Sequence, residues 1–394
     1  MIPYESPVYF VLLGIALVPL IIAQTFGKKV MIYQSLFTVS FLWISFGGKN
    51  LKSGAALLGF GVWQLFLIKG YEWYRQKKKL DATWVFITVL LLSLVPLFCV
   101  KVWPVFWGHS SILGFLGISY VTFKTVNIIM ELRDNLIKKV PVGDFFYFLY
   151  FFPTISSGPI DRFRRFQKEL HEPVKKDYLR FLEKGIFYIF LGFLYKFLIA
   201  QFLDFDSIFL GFVRYEAVRG SFFYLVVYMY LYSMYLFFDF AGYSFFAVGV
   251  SYIMGYETPK NFHLPFLSKN IKDFWNRWHM SLSFWFRDFV YMRLVYWLVK
   301  KKLIKSSVKI SNLSYFALFL LMGLWHGFTW YFVAYGLFHA LLMCATDAWI
   351  RFKKKHKGLI PENKLMDCLN IFLTMHAVFF GLLIFSGIFD DILK

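Results

Sequence analysis

Trp84-Val85-Phe86-Ile87-Thr88-Val89-Leu90-Leu91-Leu92-Ser93-Leu94-Val95-Pro96-Leu97-Phe98-Cys99-Val100-Lys101-Val102-Trp103 is a run of twenty residues carrying one charge. A helix of about 20 such residues spans a hydrocarbon core of about 30 Å. The same pattern recurs along the chain. Candidate spans cover residues 8–26, 30–47, 53–70, 84–103, 112–130, 183–203, 222–238, 242–256, 280–299, 311–325, 328–349 and 369–389. Several are short or polar, so about eleven crossings are expected, with tilted or re-entrant helices among the rest. Membrane backbone must satisfy its own hydrogen bonds, and these runs are too long for barrel strands. The reading is an all-α polytopic membrane protein, organised as a single domain over residues 1–394.

Composition agrees. Of 394 residues, 59% are apolar and only 17% charged, against about 25% charged in soluble domains. The net charge of +20 would suggest nucleic acid in a soluble protein. Here the cations form short clusters between apolar runs: Lys28-Lys29, Arg75 with Lys77, Lys78 and Lys79, Lys138-Lys139, Arg162 to Lys168, Lys300 to Lys305, and Arg351 to Lys357. Such clusters mark cytoplasmic loops. They place the N-terminus outside, with the clusters after the first, third and fifth spans inside. The first run lacks a basic leader and a small-residue cleavage site, so it reads as a retained span. Cys99, Cys344 and Cys368 show neither a disulfide framework nor metal-ligand spacing.

Two places break the helical pattern. Residues 145–157 form an apolar run of about 20 Å as a helix, with basic clusters on both sides. That suits a re-entrant segment turning at Ser156-Ser157-Gly158-Pro159, or alternatively an interfacial helix. The second break is Trp325-His326-Gly327. The apolar stretch 312–349 is too long for one crossing and short for two, so His326 sits at a tight turn. Broken backbone at membrane depth implies enclosure by protein or a watery cavity.

Of eight histidines, His171 and His356 lie in charged loops, and His109 and His263 at polar boundaries. His339 and His376 sit inside apolar spans, where a helix–helix hydrogen bond is the simplest account. His279 keeps different company, in Phe274-Trp275-Asn276-Arg277-Trp278-His279-Met280-Ser281-Leu282-Ser283-Phe284-Trp285-Phe286-Arg287-Asp288. At about 100° per residue, Trp275, His279, Ser283 and Phe286 share one helix face. Asp288 falls opposite His279, while Arg277 and Arg287 can pair with Asp273 and Asp288. An interfacial helix anchored by Trp and Arg fits this stretch equally well. Asp239 is the most notable carboxylate in an apolar run, suited to helix pairing or to a cavity. No phosphate-binding Gly-Lys-Ser/Thr loop, Gly-x-Ser-x-Gly elbow or His-Glu-x-x-His motif occurs. What remains is a His-centred site, suited to acid–base chemistry near neutral pH.

The stretch from Trp275 to Asp288, together with Leu324-Trp325-His326-Gly327 and the 47-residue spacing of the two histidines, resembles the membrane-bound O-acyltransferase family. Within it, Phe151-Phe152-Pro153-Thr154-Ile155-Ser156-Ser157-Gly158-Pro159-Ile160-Asp161-Arg162 is similar to the branch that transfers D-alanine to teichoic acid in Gram-positive bacteria. The chain's start, with Tyr4 and Tyr9, and the stretch 237–244 are similar too. The resemblance implies a helical bundle around a central cavity, with His326 catalytic and His279 its companion. It implies a D-alanyl thioester donor on the phosphopantetheine arm of an acidic cytosolic carrier protein, with teichoic acid or an intermediate as acceptor outside. No cofactor bound by this chain is expected, since a thioester is already activated and needs neither ATP nor a metal. His326 should be neutral in apolar surroundings and act as general base. Trp275, Ser283, Trp325 and Asp239 are the expected substrate path. Arg287, Arg293, Val295, Lys300, Lys301 and Lys302 are the expected carrier-docking surface, cations steering and apolar residues holding. Two alternatives remain open: an alginate-type polysaccharide acetyltransferase, and a transporter without covalent chemistry.

Overall fold

The computed structural model describes residues 1–47, 51–77, 82–204, 221–358, 361 and 363–393. Among them there are helices and turns but no strand. Eight helices are long and apolar enough to cross a membrane, and Met31–Phe46 is a shorter apolar helix. Lys78 and Lys79 of the second basic cluster lie outside the described residues. By contact the chain forms two compact units, residues 1–192 with 243–259, and residues 193–242 with 260–394.

Burial sorts these helices by neighbour. Only 6% of the most apolar window of Thr83–Trp107 is buried, against 72% for Phe222–Ile253. The first therefore presents apolar side chains outward, as a lipid-facing helix must, and the second is packed in protein over residues 241–253, while Phe222 and Phe223 are exposed. Phe222–Ile253 is one continuous helix, not the two spans read at 222–238 and 242–256. Asp239 and Gly242 do not interrupt it. The Asp239 carboxylate accepts from Lys196 Nζ at 2.5 Å, so the charge is neutralised with helical backbone intact.

In the first unit, Ile118–Arg133 is buried along nearly its whole length. Its polar side chains hold the broken segment that follows. Lys124 Nζ donates to the Phe148 carbonyl at 3.2 Å and to Thr154 Oγ1 at 3.1 Å. Asn127 Oδ1 and Glu131 Oε2 accept from the backbone N–H groups of Phe163 and Arg164, which would otherwise be orphan donors at the start of Phe163–His171. At its other end Lys29 Nζ donates to the carbonyls of Glu169, Leu170 and Glu172 at 2.9, 2.7 and 2.6 Å. This cation caps the helix C-terminus. Burial pushes the Lys29 ammonium below the usual lysine range.

Between these anchors, residues 142–162 form the helix Val142–Leu149, a 3-10 turn at Phe152–Thr154 and an irregular stretch through a cis Gly158–Pro159 bond. The run read as one helix over 145–157 ends as a helix at Leu149, so the break begins before Ser156-Ser157-Gly158-Pro159. Most side chains from Phe145 to Asp161 are buried, and Ser156 is hydrogen-bonded to Tyr243. Protein thus encloses the broken backbone.

In the second unit, Ser307–His326 and Trp330–Lys355 form an antiparallel hairpin joined by residues 327–329. The tight turn at His326 is thereby present. Lys272 pairs with Asp347, Tyr291 hydrogen-bonds Ser311 at 2.8 Å, and Tyr230 hydrogen-bonds His376. The last contact is the helix–helix bond expected of His376. Cys99, Cys344 and Cys368 are free thiols.

Candidate functional site

The expectation that Trp275, His279, Ser283 and Phe286 share one helix face does not hold. The helix Ile271–Trp275 ends, and a new one, Met280–Phe286, begins after His279. His279 has φ +42°, in the left-handed region. Period alone runs through this stretch because no Gly or Pro marks a stop. The cause lies in a distant segment. The Met280 N–H donates to the Asn261 carbonyl at 2.8 Å, and the His263 N–H donates to the Arg277 carbonyl at 2.9 Å. Ser281 Oγ donates to Asn261 Oδ1 at 2.6 Å. Asn261 thus clamps the turn that presents His279, and no periodicity could single it out.

The clamp buries His279 to 6% exposure, its ring 4.7 Å from the Phe240 ring. His326 arrives from the hairpin. It is the last residue of its helix, and the Gly327 N–H closes on the Gly323 carbonyl at 3.2 Å. Its ring lies 4.8 Å from Phe385 and 4.5 Å from Trp325. His279 and His326 line one cavity of about 90 Å³, with Trp275, Trp278, Met322 and Tyr335 in its wall. No carboxylate is among its lining residues; these are aromatic and aliphatic apart from the two imidazoles, the Tyr335 hydroxyl, the Met322 thioether and the indole N–H groups of Trp275 and Trp278. The cavity has room for a group of a few heavy atoms, and His279 and His326 bring two imidazoles to it.

A second cavity of about 300 Å³ adjoins it in composition: Trp275 and Met322 line both. Its wall adds Lys272, Asn276, Ser283 and Arg287. Ser283 therefore belongs to this larger space, its Oγ donating to the Trp278 carbonyl at 3.0 Å. Trp325 packs against His326 but lines neither cavity, and Asp239 is occupied by Lys196. Of the expected substrate path, the structure brings together Trp275 with both cavities and Ser283 with one.

At Arg287 the helix loosens into a single π turn, Arg287–Tyr291, before continuing as Met292–Lys301. Arg287 pairs with Asp288 at 2.9 Å and lies over the Phe284 ring at 4.6 Å. Arg277 pairs with Asp273 at 2.7 Å. Both ion pairs follow the sequence reading. Arg293 lies over Phe289, and Lys300 over Tyr296. Lys301 and Lys302 are exposed at the helix end. Val295, expected to be exposed, is half-buried; the exposed apolar residues of Met292–Lys301 are Met292, Tyr296, Trp297 and Val299. Val295 lies one turn before exposed Val299 on the same side of the helix, so its half-burial comes from the neighbours it meets and not from helical period.

The membrane-bound O-acyltransferase family model matches residues 51–384. The chain belongs to this family. It is 49% identical to a teichoic acid D-alanyltransferase of Bacillus subtilis (strain 168), covering 98% of each chain. It is 48% identical to one of Lacticaseibacillus rhamnosus, covering 99% of this chain and 98% of that one. A probable alginate O-acetylase of Pseudomonas aeruginosa is 28% identical over 69% of this chain and 48% of its own. As a membrane-bound O-acyltransferase, this is a multi-pass membrane enzyme. The two histidines that carried the resemblance are the two whose imidazoles line the small cavity.

Proposed function

We propose that this enzyme transfers D-alanine from the thioester of a cytosolic carrier protein towards teichoic acid on the outer face. The observation that carries the reading is the single small cavity holding His279 and His326, walled by Trp275 and Met322, which also wall the larger cavity edged by Lys272 and Arg287. The near-full-length likeness to teichoic acid D-alanyltransferases supports the choice of acyl group and acceptor.

The larger cavity suits a pantetheine arm, which is slender and mixes amide with methylene. The smaller suits the alanyl group. His326 removes the proton from the acceptor hydroxyl as its oxygen attacks the thioester carbonyl. The tetrahedral intermediate collapses, the C–S bond breaks, and the thiolate takes the proton from the His326 imidazolium. The products are the ester and the free carrier thiol. His279 stands across the cavity to hydrogen-bond the carbonyl oxygen as negative charge develops there. The carrier supplies the phosphopantetheine. It docks on the face of Tyr296, Trp297 and Val299, ringed by Arg287, Arg293, Lys300, Lys301 and Lys302, where basic side chains attract its acidic surface.

The test is acyl transfer by the purified protein in proteoliposomes, with radiolabelled D-alanyl carrier outside and lipoteichoic acid inside. Label reaching the acceptor with wild type but not with His326→Ala supports the reading. Equal labelling with the two would remove His326 from the chemistry. Acetyl transfer in preference to D-alanyl transfer would move the protein towards the polysaccharide acetyltransferases.

A further inference from the structure

His339 is fully buried, and neither ring nitrogen has a hydrogen-bond partner among the described residues. The helix–helix hydrogen bond expected from sequence is not made. Leaving a buried polar group unpaired is destabilising, whereas a phenylalanine of similar shape would carry no such penalty. A position that holds such a group invites a functional account. Close by is its complement. Trp275 Nε1, a donor that cannot accept, is also buried without a partner. The two rings stand 5.2 Å apart and nearly perpendicular, at 80°.

The place of the pair gives it meaning. Trp275 is shared by the walls of the two cavities. His339 lies one helical turn from Tyr335, which lines the small cavity, and one turn from Met343, which lines the large one. Spacing of four residues puts all three on one helix face. A Cβ on Gly381 would come within 2.7 Å of His339 Nε2, so the glycine leaves the ring room on its far side.

We propose that His339 accepts a hydrogen bond from the Trp275 indole N–H when that ring swings off the boundary between the two cavities, and so holds open the passage by which a thioester reaches His279 and His326. His339 is then a positioning residue, acting through Trp275 on the transfer reaction; this role rests on the acyl-transfer reading above. In the closed arrangement both groups are unpaired, and in the open one each satisfies the other. The open state gains this hydrogen bond and gives up the packing of Trp275 on Phe274 and Phe319, at 5.6 and 5.3 Å, and these opposing terms set the balance of a gate.

Two measurements test this. In the first, kcat/KM is measured with D-alanyl carrier for His339→Phe, Trp275→Phe, the double variant and His339→Gln. Each Phe substitution should lower kcat/KM by about tenfold, and the pair together also by about tenfold, because they break one interaction. Gln, which keeps an acceptor, should restore most of the loss. In the second, the indole 15N–1H resonance of Trp275, assigned by its absence in Trp275→Phe, is followed in nanodiscs. It should shift in His339→Phe, where an aromatic ring remains but the acceptor is gone, and return towards wild type in His339→Gln. Unchanged kinetics in His339→Phe, losses that multiply to about a hundredfold, or an unmoved resonance would overturn the pairing. Should wild type itself transfer nothing from the carrier, the acyl-transfer reading fails, and the resonance alone decides whether the two side chains bond.

Discussion

Gly323 and Gly336 bring the two helices of the His326 hairpin together backbone to backbone. A Cβ built on either would lie 3.6 Å from the Cα of the other and would collide with a carbonyl oxygen, that of Phe332 for Gly323 and that of Phe319 for Gly336. Small residues permit such approach in membrane proteins, where close packing is a main source of helix association. The crossing lies one turn before His326 and next to Tyr335, so it sets where both enter the small cavity.

Gly336→Val should therefore separate the hairpin. Overpacking of this kind costs about 1–3 kcal/mol, and the colliding atom is backbone, which cannot rotate away. The thermal midpoint in detergent should fall and transfer should drop with it. A midpoint equal to wild type would show that the hairpin yields without cost.

His326→Ala should abolish transfer with little effect on folding. The ring is half-buried at a helix end, and its removal leaves the Gly327–Gly323 backbone bond in place. Loss of a general base lowers the rate about 10²–10⁴-fold. Turnover by the well-folded variant at the wild-type rate would assign the base elsewhere.

Substitutions at His279 should separate backbone from side-chain effects. Left-handed backbone costs a bulky residue about 1–2 kcal/mol, while Gly and Asn tolerate it. His279→Gly should match or exceed the wild-type thermal midpoint yet lose transfer, and His279→Val should lose both. His279→Asn, which keeps a hydrogen-bond donor, should be the most active of the three. Should Gly restore full turnover, the imidazole has no part in the reaction.

Asn261→Ala should mimic the loss of His279 without touching it. The side chain holds Ser281, and its removal loosens the turn while the backbone bonds of Asn261 to Met280 and of His263 to Arg277 remain. The expectation is a fall in kcat with a smaller change in KM, since positioning of a reacting group is what slackens. A change confined to KM would instead place Asn261 in donor binding.

Carrier docking is best probed on the exposed residues of Met292–Lys301. Tyr296→Asp or Val299→Asp should prevent recovery of the carrier in pull-downs while the fold persists. Val295→Asp should also destabilise the protein, because Val295 is half-buried. Charge reversal at Lys300, Lys301 and Lys302 should slow association and flatten its dependence on salt. Undiminished recovery with Tyr296→Asp and Val299→Asp would move the docking surface.

Hydropathy alone determined that this chain lives in a membrane as helices, because transfer of residues 84–103 into hydrocarbon depends only on what those residues are. The sequence also placed the tight turn at His326, next to Gly327, but not the start of the earlier break, which comes at Tyr150, several residues before Gly158. The pairings Arg277–Asp273 and Arg287–Asp288 were legible because each lies within one helical turn. Tertiary structure decided the rest. The left-handed turn at His279 comes from hydrogen bonds to Asn261 and His263, well away in sequence. Continuity of Phe222–Ile253 through Asp239 is compatible with that charge because Lys196, on another helix, neutralises it. The unpaired state of His339 and the half-burial of Val295 depend on which neighbours arrive, not on period. Local propensity and transfer free energy are sums over adjacent residues, and so can be read in order along the chain. A site is a set of contacts between residues far apart in that order, and only packing selects them.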